Sequence, residues 1–529
     1  MFKFIFYRTL NSQSAVSVTV ANLCGLLKSR GYDAAMALLE KKDPDIASKI
    51  CENRERHPIL IYKVNSMDYE KTFPVLSRLA KEKAFARIYL IGPFASLNGE
   101  RIMMQYPWVD GVILGTGEYT ILELAKIWEK AEDFEGDIFA EGGIWRTAAG
   151  GFKRKEIIHR LSLKELPCPS RDIDRMQEEK ITNLEFSRGC ENLCRYCHMR
   201  AYHEQYGLDR ECRTVDQVME DIEYLYAMGK RYFVFNDSVF WNDDRDTPRL
   251  MEWCRRMKAS RMKISFMIYL SLYHFPPMSL IKRLKEVGLI RVFIGVESFD
   301  PEVLKVLKES AYPSFKLETI REKLGELYIS CHIGYIVFFP FSTLEQVEKS
   351  IEYLNSMEKM FRVGIMLERL RLILHTPMEV YMERSEDMLD GAYAYKMIDE
   401  RAEKLQTQWM DIFEVQLRAS YIKMELLCTA GDLALSILMR DRDQIPEDVR
   451  TVLDQHRKNI KTYNRRIYRF VRESIGHARQ GRPICLTETF ENDYWNSMES
   501  LQNSWQKLYR IMSAYTEFDL EKMIPTGDA

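Results

Sequence analysis

Three cysteines fall within eight residues, in the run Phe186-Ser187-Arg188-Gly189-Cys190-Glu191-Asn192-Leu193-Cys194-Arg195-Tyr196-Cys197. Thiolates this close in sequence can wrap one compact inorganic cluster. A cubane has four irons, so Cys190, Cys194 and Cys197 would leave one iron without a ligand from the chain. S-adenosylmethionine can chelate such an iron through its amino and carboxylate groups. An electron passed into its sulfonium then breaks a C–S bond and gives a 5′-deoxyadenosyl radical. The other ligand set is zinc, with His198 or Cys212 as a fourth donor. Paired CxxC knuckles are absent, and a spacing of three residues then two is unusual for zinc.

Something must hold that loop. A strand candidate, Asn183–Ser187, immediately precedes it, and others follow at Arg231–Asn236, Lys263–Ile268, Arg291–Val296, His332–Phe338 and Arg369–Leu374. Helix signals lie between them. Thr214 with Gln217 and Ser342 with Glu345 read as capping boxes, Gly229 closes a helix, and Asp300-Pro301 opens one. Six βα units over 181–382 predict a partial (β/α)6 barrel, whose chemistry lies at the C-terminal strand ends.

Residues 1–135 alternate strands (Phe2–Tyr7, Pro58–Tyr62, Arg87–Ile91, Gly111–Leu114) with helices (Ala15–Ser29, Tyr69–Lys83). This alternation predicts a doubly wound, Rossmann-like parallel sheet and an α/β class. Residues 136–180 read as a linker with a small β piece, and 383–529 as a helical C-terminal region.

Composition narrows the class. The 529 residues are 46% hydrophobic and 29% charged, a globular balance, and their number is too large for one ordinary core and suggests two or three domains. A net charge of −2 gives no electrostatic reason to expect nucleic acid or a membrane surface as partner. No apolar run reaches the length of a membrane span, and the opening MFKFIFYRTLNS lacks a cleavage site. The expected location is the cytoplasm. Cys24, Cys254, Cys331 and Cys428 sit in apolar patterns as small buried hydrophobes. Trp409, Trp495 and Trp505 read as helix-packing anchors, and the 27 methionines as core fillers.

The triplet, with Tyr196 before the third cysteine, resembles the signature of radical SAM enzymes that carry an N-terminal cobalamin-binding domain. Further matches over residues 1–380 keep the family's order: Phe235-Asn236-Asp237, Gly295-Val296-Glu297-Ser298, Phe339-Pro340 and His375-Thr376-Pro377. The resemblance implies a 4Fe-4S cluster on Cys190, Cys194 and Cys197. It also implies S-adenosylmethionine contacts from Tyr196, Asn236, Asp237, Glu297 and Ser298. In the first domain, Ile91-Gly92-Pro93-Phe94-Ala95-Ser96 and Gly115-Thr116-Gly117-Glu118-Tyr119-Thr120 look like the family's glycine loops for the cobalamin nucleotide tail. Gly92, Gly115, Gly117 and Glu118, with Asn65 and Ser66, are the implied contacts. Ile91 replaces the first glycine of its loop, and the loop after the first strand has no histidine, so no imidazole lower ligand is implied from there. A methylthiotransferase would need three cysteines in this domain, which has only Cys24 and Cys51.

The implied reaction is methylation of an unactivated carbon in a peptide or small-molecule natural product, with an external flavodoxin or ferredoxin as electron donor. In that scheme one S-adenosylmethionine methylates cobalamin and a second yields the radical. The alternative is a non-methylating radical SAM enzyme, a cyclase or rearranging enzyme, with a degenerate cobalamin domain. A zinc-stabilised binding module is the reading from outside the enzymes.

Overall fold

The computed structural model describes residues 3–9, 17–39, 58–64, 69–130, 137–172, 181–308, 317–357, 362–373, 375–383, 395–440 and 442–515. Two compact units emerge. The first comprises residues 1–192 and 197–238, the second residues 193–196 and 239–529.

In the first unit, apolar runs form β1 (Lys3–Thr9), then α1 (Val18–Ser29), β2 (Ala34–Leu39) and β3 (Pro58–Lys63). Next along the chain are α2 (Tyr69–Lys81), β4 (Arg87–Ile91), α3 (Pro93–Leu97), α4 (Gly99–Gln105), β5 (Gly111–Ile113) and α5 (Glu118–Lys130). The sheet order is β2-β1-β3-β4-β5, parallel throughout. Such strands are covered on both faces, which explains why β3 reads as an unbroken apolar run and is buried over its first five residues. Phe4, Ile59, Ile61, Tyr89 and Ile113 pack with Leu23 and Leu27 of α1 and with Ile121, Leu124 and Trp128 of α5. Each such side chain contributes about 1.5–3 kcal/mol on burial.

The small β piece expected after residue 136 is a hairpin, β6 (Gly143–Arg146) and β7 (Phe152–Lys155), which adds antiparallel strands beside β5 and brings the sheet to seven. β2 is not among the strand candidates of the sequence, since its Ala-Ala-Met-Ala-Leu-Leu composition favours helix. The linker ends on a buried ion pair. Arg171 Nε donates to Asp221 Oδ1 at 2.9 Å, and its Nη1 to the Asn183 carbonyl at 3.0 Å.

The first unit continues with β8 (Ile181–Leu184), β9 (Ser187–Arg188), α6 (His198–Tyr206), β10 (Glu211–Cys212), α7 (Val215–Ala227) and β11 (Tyr232–Phe235). β8 and β11 pair in parallel, and Thr214 caps α7 with Gln217 as expected. The second unit holds α8 (Thr247–Ser260), β12 (Ser265–Ser271), α9 (Met278–Glu286), β13 (Leu289–Glu297), α10 (Pro301–Leu307), α11 (Leu317–Glu326) and β14 (Ser330–Tyr335). Here β12-β13-β14 are again parallel. Next come α12 (Leu344–Ser356), α13 (Val363–Leu367) and α14 (Pro377–Glu383), then the helical region of α15 (Glu400–Met410), α16 (Tyr421–Leu438), α17 (Glu447–Arg479) and α18 (Glu488–Ser513). Fully buried His456 of α17 ties three of these together, its ring nitrogens meeting Ser504 Oγ at 2.7 Å and the Leu427 carbonyl at 3.0 Å.

Two expectations need correction. The sixth strand, Arg369–Leu374, contributes a single parallel bridge, Phe338 to Arg369. The ladder stops there because Phe339 N–H turns to Ser342 Oγ at 2.7 Å and Pro340 has no N–H. The second capping box belongs to Thr343 and Gln346, since the Ser342 hydroxyl is spent on that turn.

Gly288 joins α9 to β13 with φ +114°, and a Cβ there would lie 2.1 Å from the Ile264 carbonyl oxygen. The atoms it would strike are Ile264 backbone, which cannot swing aside as a side-chain tip could. Gly288→Ala should cost about 3 kcal/mol, read as a lowered midpoint in denaturant unfolding.

Candidate active site

The cysteine loop begins where β9 pairs antiparallel with β10, Arg188 facing Glu211 and Ser187 facing Cys212. Gly189 then takes φ +100°; a Cβ would come within 2.9 Å of His203 Cε1 and 3.0 Å of Arg210 Cα. Only glycine makes that turn without strain. Asn192 Nδ2 donates to Cys190 Sγ at 3.2 Å. Cys197 is the N-cap of α6, where the helix dipole favours a thiolate. Cys194 forms an isolated antiparallel bridge with Lys308, flanked by Arg195 N–H to the Leu307 carbonyl at 2.8 Å and Met378 N–H to the Arg195 carbonyl at 3.0 Å. All three cysteines are partly exposed. Among the described residues no three His, Cys, Asp or Glu side chains gather to hold a single metal ion. A cubane asks for something else, one thiolate on each of three separate irons.

Asp237, just past β11, is 2% exposed and aimed at the start of this loop. Its oxygens accept from Phe186 N–H at 2.9 Å, Ser187 N–H at 2.6 Å and Ser187 Oγ–H at 2.6 Å. Its neighbour Asn236 is exposed and donates its backbone N–H to the Leu184 carbonyl at 2.8 Å. Within this pair Asp237 braces the loop and the Asn236 side chain faces solvent.

Glu297 ends β13 with φ +68°, after a register shift against β14. Its carboxylate folds back over Gly295, where a Cβ would meet Oε1 at 2.9 Å. Lys308 Nζ lies 3.7 Å from that carboxylate and 3.8 Å from the centre of the Tyr273 ring, and the lysine is 5% exposed. Residues paired across an antiparallel bridge project to the same side, so Lys308 shares a face with Cys194. The sequence does not mark Lys308, because a lysine after an amphipathic helix carries no local signal. Ser298 is buried, and its hydroxyl accepts the Asp300 N–H at 3.1 Å. Tyr196 is partly exposed in the bridge segment.

At the C-terminal edge of the first sheet, Gly92, Gly115 and Gly117 all have positive φ. Their Cβ positions would meet Lys63 Cγ at 3.1 Å, Ile157 at 2.8 Å and Ile91 at 2.6 Å respectively. The Lys63 stem thus covers Gly92, and its ammonium donates to Ser17 Oγ at 3.0 Å. Burial pulls that ammonium below the usual lysine range, with Glu185 opposing. Glu118 is buried and pairs with Arg188 Nη1 at 2.5 Å, while its Oε2 has no hydrogen-bond partner among the described residues. Arg188 also meets Glu185 at 3.2 Å, and Asn22 bridges Glu185 to Arg213. Burial would raise the Glu185 pKa, but Arg188 and Arg213 outweigh it and hold it below the ordinary value. Asn65 and Ser66 lie outside the described residues.

Residues 184–354 match the Radical SAM superfamily. An uncharacterised methyltransferase of Pyrococcus horikoshii is 24% identical over 346 residues, 63% of this chain and 69% of that protein. The anaerobic magnesium-protoporphyrin IX monomethyl ester cyclase of Cereibacter sphaeroides is 22% identical over 356 residues, 63% of this chain but 55% of that one. The fold is similar to that of the cobalamin-dependent S-adenosylmethionine radical enzyme OxsB, solved with aqua-cobalamin and S-adenosylmethionine. The TM-score is 0.64 at 17% identity, over 97% of this chain and 80% of OxsB. With its three-cysteine loop after β8 and this match, residues 184–354 form a domain of the Radical SAM superfamily type.

Proposed function

We propose that the protein is a cobalamin-dependent radical SAM methyltransferase that methylates an unactivated carbon of a peptide or small-molecule natural product. The observation that carries this reading lies inside the first unit. The buried Arg188–Glu118 pair fastens the strand before Cys190 to the glycine-turn edge of the seven-stranded sheet. A corrinoid held at that edge would lie beside the cysteine loop. The edge suits its nucleotide tail: positive-φ turns bring backbone close, and the Lys63 ammonium, hydrogen-bonded to Ser17 Oγ, can face a phosphodiester. The methyltransferase name of the Pyrococcus relative and the cobalamin in OxsB support the reading.

When bound, the cluster and S-adenosylmethionine supply a hydrogen-abstracting radical, and cobalamin supplies a methyl group. The chain's work is positioning. Cys190, Cys194 and Cys197 hold the cluster, and Asp237 fixes where their loop begins. Tyr196, Asn236, Glu297 and Ser298 are the residues that would bind S-adenosylmethionine. Gly92, Gly115, Gly117 and Glu118, with Lys63, would form the corrinoid edge. Residues 1–135 are the corrinoid domain, 136–180 the linker, 181–382 the radical SAM core, and 383–529 the helical region that completes the substrate site. A flavodoxin- or ferredoxin-type donor in the cytoplasm supplies the electron. No described helix is long and apolar enough to cross a membrane.

The cyclase relative favours a second reading, radical chemistry without methyl transfer. Reconstitution with hydroxocobalamin separates the two. The methyltransferase retains stoichiometric cobalamin with a spectrum free of imidazole coordination, and Gly92→Trp abolishes retention because an indole fills the turn. A wild-type protein that retains none under anaerobic, reducing conditions is the non-methylating enzyme.

Two variants test the cysteine loop. Cys194→Ala should lose the cluster's iron, sulfide and visible absorbance together; full iron content in that variant would overturn the assignment of Cys194 as a cluster ligand, and a wild-type protein with no iron or sulfide would return the zinc alternative. Asp237→Asn replaces an acceptor-only group with one whose Nδ2 faces N–H donors, costing about 3 kcal/mol at the loop. Its cluster should bleach several-fold faster under a chelator, while iron content after fresh reconstitution stays near that of the wild type.

A further inference from the structure

The second unit contains a cationic cluster outside the residues assigned to the iron–sulfur cluster and S-adenosylmethionine. Register places Met267, Arg291 and Ser330 side by side on one face of β12-β13-β14, followed by Tyr269, Phe293 and His332. The opposite face of β13, with Ile290, Val292, Ile294 and Val296, is buried, whereas Arg291, Phe293 and Glu297 stay partly exposed. This face therefore remains partly open to solvent. Tyr269 and Phe293 stand with ring centres 5.5 Å apart, and Phe293 and His332 with centres 5.2 Å apart.

Arg291 Nη2 lies 2.8 Å from His332 Nδ1. From the start of α13, Arg362 Nη1 lies 3.1 Å from His332 Nε2. Two guanidiniums thus converge on one imidazole. A neutral ring has a single acceptor nitrogen, so it cannot accept from both. Burial, reinforced by both arginines, pushes His332 down to about 2, and the ring is neutral. Burial and then Arg362 lower Arg291 to about 10. Both arginine Nε–H groups are buried without a hydrogen-bond partner among the described residues. Among those residues neither guanidinium has a carboxylate within ion-pair distance. Glu425 of α16, the carboxylate whose charge acts most strongly on Arg362, is spent on the Gly364 N–H. Buried charges are retained only when paired, and this pair has donors to spare and no anion.

We infer that Arg291, Arg362 and His332 form a binding site for the carboxylate or phosphate group of an organic anion, with Phe293 and Tyr269 against its apolar body. Guanidinium forks match the geometry of both oxyanions, and an aromatic wall beside them selects a ligand with a flat or apolar part next to its acid. The site is independent of cobalamin and of methyl transfer.

The probes are inorganic phosphate and phenyl phosphate, titrated calorimetrically into the full-length, cluster-reconstituted protein in a buffer free of other oxyanions. Both should bind saturably, phenyl phosphate about tenfold tighter because of the ring contacts. Arg362→Gln and Arg291→Gln should each weaken both probes about tenfold or more, whereas Phe293→Leu should weaken phenyl phosphate alone. Arg362→Lys keeps the charge and removes the fork, so it covers the case in which Arg362→Gln does not fold; it should bind both probes more weakly than the wild type. Absence of binding to the wild type overturns the site. So does affinity unchanged in Arg362→Gln or Arg362→Lys, which would place the anion elsewhere. Equal affinity for the two probes overturns the organic ligand and leaves an inorganic counter-ion.

Discussion

One buried carboxylate sets the geometry on which the cysteine loop depends. Asp237 accepts two backbone N–H groups and a hydroxyl from Phe186 and Ser187, and so fixes the direction in which the chain leaves β8. Three charge-assisted hydrogen bonds at a 2%-exposed site are strong because water does not compete for them. From that anchor the loop is built residue by residue. Gly189 turns the chain where no Cβ fits, Asn192 meets the Cys190 sulfur, and Cys197 stops the loop by capping α6. A cluster ligated by only three thiolates would tolerate little freedom in their spacing, and these contacts limit it at Cys190 and Cys197.

A network of buried charge then joins that loop to the first sheet. Glu118, Arg188, Glu185, Asn22 and Arg213 form a continuous chain of partners, with Arg171 and Asp221 a second buried pair nearby. Desolvating so many ions costs about as much as their attraction returns, so the network is a poor source of net stability. Its effect is specificity of arrangement. Each ion has a named partner, and a shift of the cysteine strand against α5 would leave Glu118 or Arg188 buried alone. Hydrophobic packing, being non-directional, could not enforce that register.

The second unit solves a different problem. Its strand ends carry Glu297 in a strained left-handed conformation, with buried Lys308 reaching it from the residue paired with Cys194. Strain of this kind persists only where surrounding structure over-determines it, and it clusters where ligands are held. The C-terminal helices contribute through α16, which packs against β13, β14 and α13 and brings Glu425 to the α13 N-terminus.

The sequence alone determined the local facts. The cysteine spacing, the Thr214 cap, the Asp300-Pro301 start and most strand positions follow from side-chain chemistry and period, which act over a few residues. Where a partner far along the chain decides, local signals fail. β2 is a strand despite helix-favouring residues because β1 offers it a ladder. The Arg369 segment is apolar enough for a strand, yet Pro340 and the Ser342 hydroxyl deny it partners. The residue types of Asp237 and Glu297 marked them as candidates, but only folding showed that one grips the cysteine loop while the other meets a lysine. The Arg291–His332–Arg362 cluster left no trace in the sequence. Its members lie on β13, β14 and the start of α13, and electrostatic convergence across such separations exists only once the sheet has formed.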